Sequence, residues 1–231
     1  MGKPPRPSRP TAFFTLSFSY TVHAKRHAQP HPASHRIPRL HQPHDPDRPL
    51  SDATIEALVD LATRAPSAFN LQNWKFIAVR SPEAKARLQA LAYGQKKVAD
   101  ASVTFIICGT LAAHEQLGQA LAPSAQAGIM AQSVVDGWVA QATRAHAGNL
   151  QLQRDETMRS ASLAAMTLML AAQGMGLATG AMIGLDLEGL SRAFGLTERE
   201  IPVIVVTVGY PLPGNWPQKP RKPVHEVVEF A

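Results

Sequence analysis

The residues best suited to chemistry lie in a polar corner, residues 64–76, with the sequence RAPSAFNLQNWKF. Asn70, Gln72 and Asn73 each carry an amide that can both donate and accept hydrogen bonds. Such pairs match the edge of a planar heterocycle on which C=O and N–H groups alternate. Asn and Ser are also common in corners for backbone reasons, so the stretch by itself leaves ligand binding and a purely structural turn equally open.

Two cations near the C-terminus, Lys219 and Arg221, are two residues apart. In an extended segment this spacing places both side chains on the same side. A pair of cations arranged in this way suits a phosphate group, although a solvated charged edge is the more frequent explanation of such a pattern.

Several familiar motifs are incomplete. GMGLATG (174–180) has the glycine spacing of a dinucleotide-binding loop but closes a helical pattern, so we interpret Gly174 and Gly176 as helix-ending residues. HEQLG (114–118) lacks the second histidine of a zinc-protease helix. Neither a G-x-S-x-G elbow nor a phosphate-binding loop ending in Gly-Lys-Ser or Gly-Lys-Thr occurs. The sequence therefore predicts no catalytic side chain and no metal site, and it favours chemistry carried by a bound cofactor.

The elements that position these residues follow from periodicity and capping. Ser51 and Ser81 are predicted N-caps of two helices, the first stopped by Pro66 and the second ended by Gly94. The remaining predicted elements are strands at 74–79, 103–110 and 201–209 (a central strand), long helices at 124–145 and 155–173, an irregular segment at 178–184 and a short helix at 186–195. Because two long helices follow each other without a strand between them, the pattern favours an α+β fold.

The first 44 residues differ from the rest in composition. They contain eight prolines, six of the nine histidines, and seven lysines and arginines without an acid, so the net charge of +6 belongs to this segment. We predict a largely disordered extension at 1–44 and one domain at 45–231.

The alternatives for the first 44 residues are a targeting signal, a basic nucleic-acid arm and a wrongly chosen start or reading frame. The arm lacks aromatic platforms and no apolar run reaches about 20 residues, so we expect neither a nucleic-acid nor a membrane partner.

The single cysteine, Cys108, lies within the apolar run VTFIICGT. It cannot form an internal disulfide, and its surroundings favour a buried, unreactive thiol. This cysteine usage is typical of a reducing compartment and predicts a cytoplasmic protein.

Five segments carry a family resemblance: RAPSAFNLQNWKFIAV, KARLQALAYGQKKVADAS, GLATGAMIGLD, VIVVTVGYP and KPRKP. In this order, across about residues 45–223, they resemble the landmarks of the nitroreductase family of FMN-dependent NAD(P)H oxidoreductases. The resemblance implies an α+β fold with a central, mostly antiparallel sheet flanked by long helices. It also implies an intertwined homodimer that holds FMN at its interface and takes hydride from NADH or NADPH.

The same resemblance assigns site residues by position. The polar corner corresponds to the segment that lines the flavin, with Pro66, Ser67 and Ala68 reaching it from the partner subunit. Asn70 and Gln72 match polar contacts close to the ring and the substrate.

The other assigned residues are spread along the chain. Gln95 matches an amide near the flavin, and Ile183 and Gly184 match a turn whose backbone N–H approaches flavin N5. Lys219 and Arg221 match the pair that binds the FMN phosphate.

The N-terminal segment departs from the family pattern, which places a basic cluster with a serine shortly before an aromatic residue and Asp-Pro. Arg39 matches one basic position and Arg36 serves only in a shifted register, whereas Leu40 and Gln42 replace the serine and a second cation. Each lost charge-assisted bond costs about 1.5–3 kcal/mol, so the resemblance implies weakened FMN binding.

The implied activity is a ping-pong reduction of a small acceptor, such as a nitroaromatic or a quinone, with hydride from NAD(P)H. A reductive dehalogenase or a flavin-fragmenting relative would share the fold and differ in reaction. A non-catalytic, weakly flavin-binding dimer acting as scaffold or sensor is the alternative that the altered N-terminus favours.

Overall fold

The computed structural model describes residues 43–215, 217 and 219–231. Its centre is a four-stranded sheet in the order β1-β2-β4-β3, in which all three neighbouring pairs are antiparallel. The strands are β1 (Trp74–Val79), β2 (Val103–Thr110), β3 (Ala178–Met182) and β4 (Glu200–Gly209). The predicted central position of the last strand is confirmed.

Helices cover both faces of the sheet. Those in the described part of the chain are α1 (Asp52–Ala62), α2 (Pro82–Leu91), α3 (Lys96–Asp100), α4 (Leu117–Gln126), α5 (Gln132–His146), α6 (Leu150–Gly174) and α7 (Leu187–Ala193), with 3-10 turns at Ala68–Asn70, Ala113–Gln116 and Val224–Glu226. Ser51 and Ser81 accept hydrogen bonds from backbone N–H groups in the first turns of α1 and α2, as predicted. None of these helices is long and apolar enough to cross a membrane.

The strand β2 is buried on both faces because its alternate side chains enter two different cores. Phe105 and Ile107 pack in a cluster with α1 and α6, whereas Ile106 and Cys108 pack in a cluster with α2, α3 and α7. Burial, reinforced by Glu200, raises the pKa of Cys108 to about 12. The thiol is therefore protonated at neutral pH, and the predicted buried cysteine is confirmed.

Two predicted elements are wrong. The segment predicted to be irregular contains β3, which pairs with β4 from Ala178 opposite Gly209 to Met182 opposite Val205. The single helix predicted over 124–145 is two helices, α4 and α5, separated by a turn in which Gly128 has a φ of 70°. The interpretation of GMGLATG is confirmed, since α6 ends at Gly174 and Gly176 has a φ of 75°.

Pro43 and His44, the first described residues, lie against the segment that follows β4. Backbone hydrogen bonds join Leu212 N–H to the Pro43 carbonyl and Asp45 N–H to the Tyr210 carbonyl, each at 2.9 Å. The His44 ring is buried, with Nε2 3.0 Å from Thr207 Oγ1. Since Thr207 donates its own proton to a backbone carbonyl, Nε2 of His44 carries a proton and donates. Burial lowers the pKa of His44 to about 4.

We predict that His44 makes the protein acid-sensitive. Below its ordinary pKa of about 6.5 the unfolded chain binds a proton that the folded chain excludes, so stability falls as the pH drops from 6.5 to 4 and levels off below. The expected loss from this residue is about 3 kcal/mol between pH 7 and pH 4. Urea unfolding across this range should show a shallower pH dependence in His44→Phe than in the wild type. His225→Phe, at an exposed position, should keep the wild-type slope.

Candidate functional site

The polar corner follows α1 and is held in an uncommon backbone conformation. Phe69, Asn70 and Gln72 have φ values of 51°, 58° and 48°. Such a conformation is cheap for Asn but costs about 1–3 kcal/mol for a bulky residue, so the surroundings must hold it in place. One restraint is Ser67, whose Oγ accepts a hydrogen bond from Gln72 N–H at 3.0 Å. The side chains of Asn70 and Gln72 are left exposed.

Aromatic packing supplies the second restraint on the corner. The Phe69 ring meets Trp138 and His146 edge-on, with ring centroids 6.1 Å and 6.3 Å apart. Leu71 is buried in the same cluster, which is built from α4 and α5. The corner therefore rests on these two helices.

Behind the corner lies a layer of buried polar groups. Thr110 N–H donates to the Asn73 carbonyl at 3.0 Å, and Thr157 Oγ1 donates to the Thr110 carbonyl at 3.1 Å. Asn73 Nδ2 lies 3.4 Å from the same Thr157 oxygen. Asn73 is only 2% exposed. Of the three amides predicted for ligand recognition, that of Asn73 is therefore buried and forms its hydrogen bond within the protein.

The layer continues along α6 to two histidines. Gln153 accepts from Ala112 N–H at 3.0 Å and donates to the His146 carbonyl at 2.8 Å. His114 stacks on His146, with centroids 5.7 Å apart and ring planes at 21°. Burial, followed by the neighbouring His146, lowers the pKa of His114. This pair could not be predicted from the sequence, because its members are far apart in the chain and no motif links them.

The long helix α6 can support this layer because it lies very close to β2. A Cβ added at Gly109 would stand 2.1 Å from Thr157 Cγ2 and 2.8 Å from the Thr157 carbonyl oxygen. Real Cβ atoms do not approach backbone that closely. Glycine is therefore required at this position for packing.

A second group of predicted residues lies at the end of β3. Gln95 Nε2 donates to the Gly184 carbonyl at 3.4 Å, so the structure brings these two predicted residues together. Ile183 beside them is 57% exposed. A Cβ at Gly184 would meet nothing within 4 Å, which means that the chain presents an open surface here.

The remaining predicted residues are cationic. Lys219 and Arg221 are both exposed in a segment without helix or strand, and Arg221 Nη1 donates to the Lys219 carbonyl at 3.0 Å. Arg36 and Arg39 lie outside the described residues. The corner packs with α4 and α5, whereas Val98 and Met182, neighbours of Gln95 and Ile183 in sequence, pack with α2 and α7. The corner therefore packs in one cluster, and residues close in sequence to Gln95 and Ile183 pack in another.

Comparison with known proteins matches residues 41–210 to the family model described as "Nitroreductase family". The Bacillus subtilis protein named "Putative NAD(P)H nitroreductase YodC" is 36% identical over 183 residues, covering 79% of this chain and 86% of that protein.

The chain belongs to the nitroreductase family. Among solved nitroreductase structures, ydfN from Bacillus subtilis has a TM-score of 0.77 at 30% identity, covering 85% of this chain and 94% of that one. A nitroreductase from Exiguobacterium sibiricum, solved in complex with FMN, also has a TM-score of 0.77 at 27% identity, covering 86% and 94%. The family and the α+β fold predicted from the sequence are confirmed.

We predict that Gly109→Ala destabilises this nitroreductase strongly. The new methyl group would overlap the backbone of α6, which cannot move away without breaking the bonds of Thr157. Forced overpacking of this kind costs about 2 kcal/mol or more. Urea unfolding would measure the loss. Gly174→Ala is the matched control, because its Cβ would meet nothing within 4 Å, and it should unfold at the wild-type urea concentration or above. Equal stability of the two variants would contradict the prediction.

Proposed function

We propose that this chain is an FMN-dependent oxidoreductase that takes hydride from NADH or NADPH and reduces a small acceptor such as a nitroaromatic or a quinone. Membership of the nitroreductase family supports the class of reaction. The FMN complex of a related structure supports the cofactor. The observation that carries the proposal is the polar corner, where strained backbone presents two exposed amides.

FMN, when bound, would supply the chemistry by accepting hydride from the nicotinamide and delivering it to the acceptor. The residues of the chain would bind and orient the flavin and exclude water from it. Asn70 and Gln72 would contact the polar edge of the ring, since their amides both donate and accept. Pro66, Ser67 and Ala68 would form the floor against which the ring lies. Ser67 also fixes the corner through its bond to Gln72 N–H.

The segment after β3 fits the approach of a flat ring. Gly184 has no side chain and faces open space, so a planar ligand can come close to its backbone. The bond from Gln95 to the Gly184 carbonyl holds this backbone in place. We infer that the Ile183–Gly184 backbone contacts the flavin near N5 and that Gln95 positions it.

Cations provide the phosphate site in this proposal. Lys219 and Arg221 are exposed and close in sequence, which suits an anion with several oxygen acceptors. Arg36 and Arg39 are candidate contributors by sequence. The chain has Leu40 and Gln42 where the family pattern has a serine and a further cation. The C-terminal pair would therefore carry a larger share of phosphate binding than the family pattern implies.

We further propose that the active form is a homodimer. The C-terminal tail exposes Val224, Val227 and Phe230, the last to 93%, and α6 exposes Leu163 and Leu170. Apolar surface of this extent favours a partner. A second copy would also allow the corner of one chain to meet the Gln95 group of the other. Light scattering should give twice the chain mass of 24.9 kDa. A mass of one chain would contradict the dimer.

We propose from its cysteine usage that the protein is cytoplasmic. The one cysteine is fully buried and the chain can form no internal disulfide. This usage suits the reducing environment of the cytoplasm.

The visible spectrum of the purified protein tests the function. We expect a flavin band that bleaches when NADPH or NADH is added without oxygen and returns when a quinone or nitroaromatic is added. A flavin band that does not bleach would contradict the proposal that NADH or NADPH supplies the hydride. A protein that stays colourless after incubation with FMN would favour the scaffold alternative, in which the altered N-terminus has abolished flavin binding.

We predict that Arg221→Ala weakens FMN binding. The loss of a charge-assisted bond to phosphate lowers affinity roughly 10- to 100-fold. Fluorescence titration of the apoprotein with FMN measures the dissociation constant. Lys222→Ala removes the same charge one residue further on and is the matched control, for which we expect little change. An unchanged affinity of Arg221→Ala for FMN would mean that other residues bind the phosphate.

A further inference from the structure

A small polar cavity lies where the end of β2 meets α5 and α6, and the proposed function makes no use of it. Its polar lining comes from Asn73, Thr110, His114, His146, Gln153 and Glu156. Its volume is about 10 Å³, close to the room that a single water molecule needs.

Three buried atoms on the lining residues have no hydrogen-bond partner among the described residues. They are Asn73 Oδ1, His114 Nδ1 and His146 Nε2. The three side chains are 2%, 7% and 4% exposed, respectively. Buried polar atoms in folded proteins are nearly always paired with protein or with ordered water. Three such atoms around one small cavity point to a shared partner inside it.

Existing hydrogen bonds define what two of these atoms can do. His146 Nδ1 lies 2.8 Å from the Ala142 carbonyl, so it carries the proton, and Nε2 of the neutral ring is an acceptor. Thr157 donates to the Thr110 carbonyl and therefore accepts from Asn73 Nδ2. This fixes the orientation of the Asn73 amide and leaves its Oδ1 as an acceptor.

We propose that the cavity is a binding site for one ordered water that joins Asn73, His114 and His146. The water donates one hydrogen to His146 Nε2 and the other to Asn73 Oδ1. It accepts a hydrogen from His114 Nδ1, which assigns the Nδ1-protonated tautomer to His114 as well as to His146. All three unpartnered atoms are then satisfied by a single molecule with two donors and acceptor capacity to spare.

The other polar groups of the lining favour water over an ion. Gln153 uses its oxygen and its nitrogen on backbone groups, and Glu156 is paired with Arg159. Within residues 43–215, 217 and 219–231, no set of three His, Cys, Asp or Glu side chains could hold a metal ion. A neutral molecule that both donates and accepts hydrogen bonds matches the three unpartnered atoms that remain.

This water would act as a structural tie. Asn73 belongs to the polar corner and directly precedes β1, His114 precedes α4, and His146 ends α5. One molecule would thus join the corner to two segments that are distant from it in sequence.

A crystal structure of the full chain at about 1.2 Å resolution or better tests the water directly. We expect a fully occupied water about 3 Å from Asn73 Oδ1, His114 Nδ1 and His146 Nε2. An empty cavity, or density for a metal or another ion at this position, would overturn the proposal. So would a direct bond between two of the three atoms.

Long-range 1H–15N NMR spectra of the histidine rings at neutral pH provide the second measurement. We expect His114 and His146 both to be neutral and protonated on Nδ1, with His114→Phe used to assign the His114 signals. Exposed His225 gives the reference for a ring in solvent. A His114 ring protonated on Nε2 would overturn the proposal, because its Nδ1 would then be a third acceptor facing a water with only two hydrogens.

Discussion

At Gly109 the helix α6 lies so close to β2 that an added Cβ would stand 2.1 Å from Thr157. This closeness lets the Thr157 hydroxyl reach both the Thr110 carbonyl and the Asn73 amide, which ties the ends of β1 and β2 to the helix. One turn earlier on α6, Gln153 binds the Ala112 backbone and the carbonyl of His146. The same helix therefore holds the ends of β1 and β2, the end of α5 and the residues before α4.

The polar corner depends on the same contact. Its backbone conformation is unfavourable for Phe69 and Gln72 and persists because packing and hydrogen bonds hold it. Phe69 rests on Trp138 and His146, and the end of the corner is fixed by Asn73. The binding surface proposed for the exposed amides would gain from this rigidity, since less conformational freedom would be lost when a ligand is bound.

Much of the fold could be predicted because its elements carry strong local signals. β1, β2, α1 and α2 were predicted from apolar periodicity and serine caps, and the structure has them at or close to the predicted positions. β3 could not be predicted in this way, because its sequence ATGAM is short and rich in small residues. Its strand conformation comes from pairing with β4, which sequence periodicity does not report.

The candidate site divides along similar lines. The residue types of the corner and the C-terminal cations were visible in the sequence, and the family resemblance assigned them roles. Neither periodicity nor resemblance indicated that Asn73 points inward or that His114 and His146 stack, because these facts depend on where α5 and α6 pack. The corner also packs in a different cluster from the residues that flank the Gln95 group in sequence. In the proposed homodimer, one ligand could contact the corner of one chain and the Gln95 group of the other. Such a ligand would bind the dimer more tightly than the monomer, and it would stabilise the dimer by the same free energy.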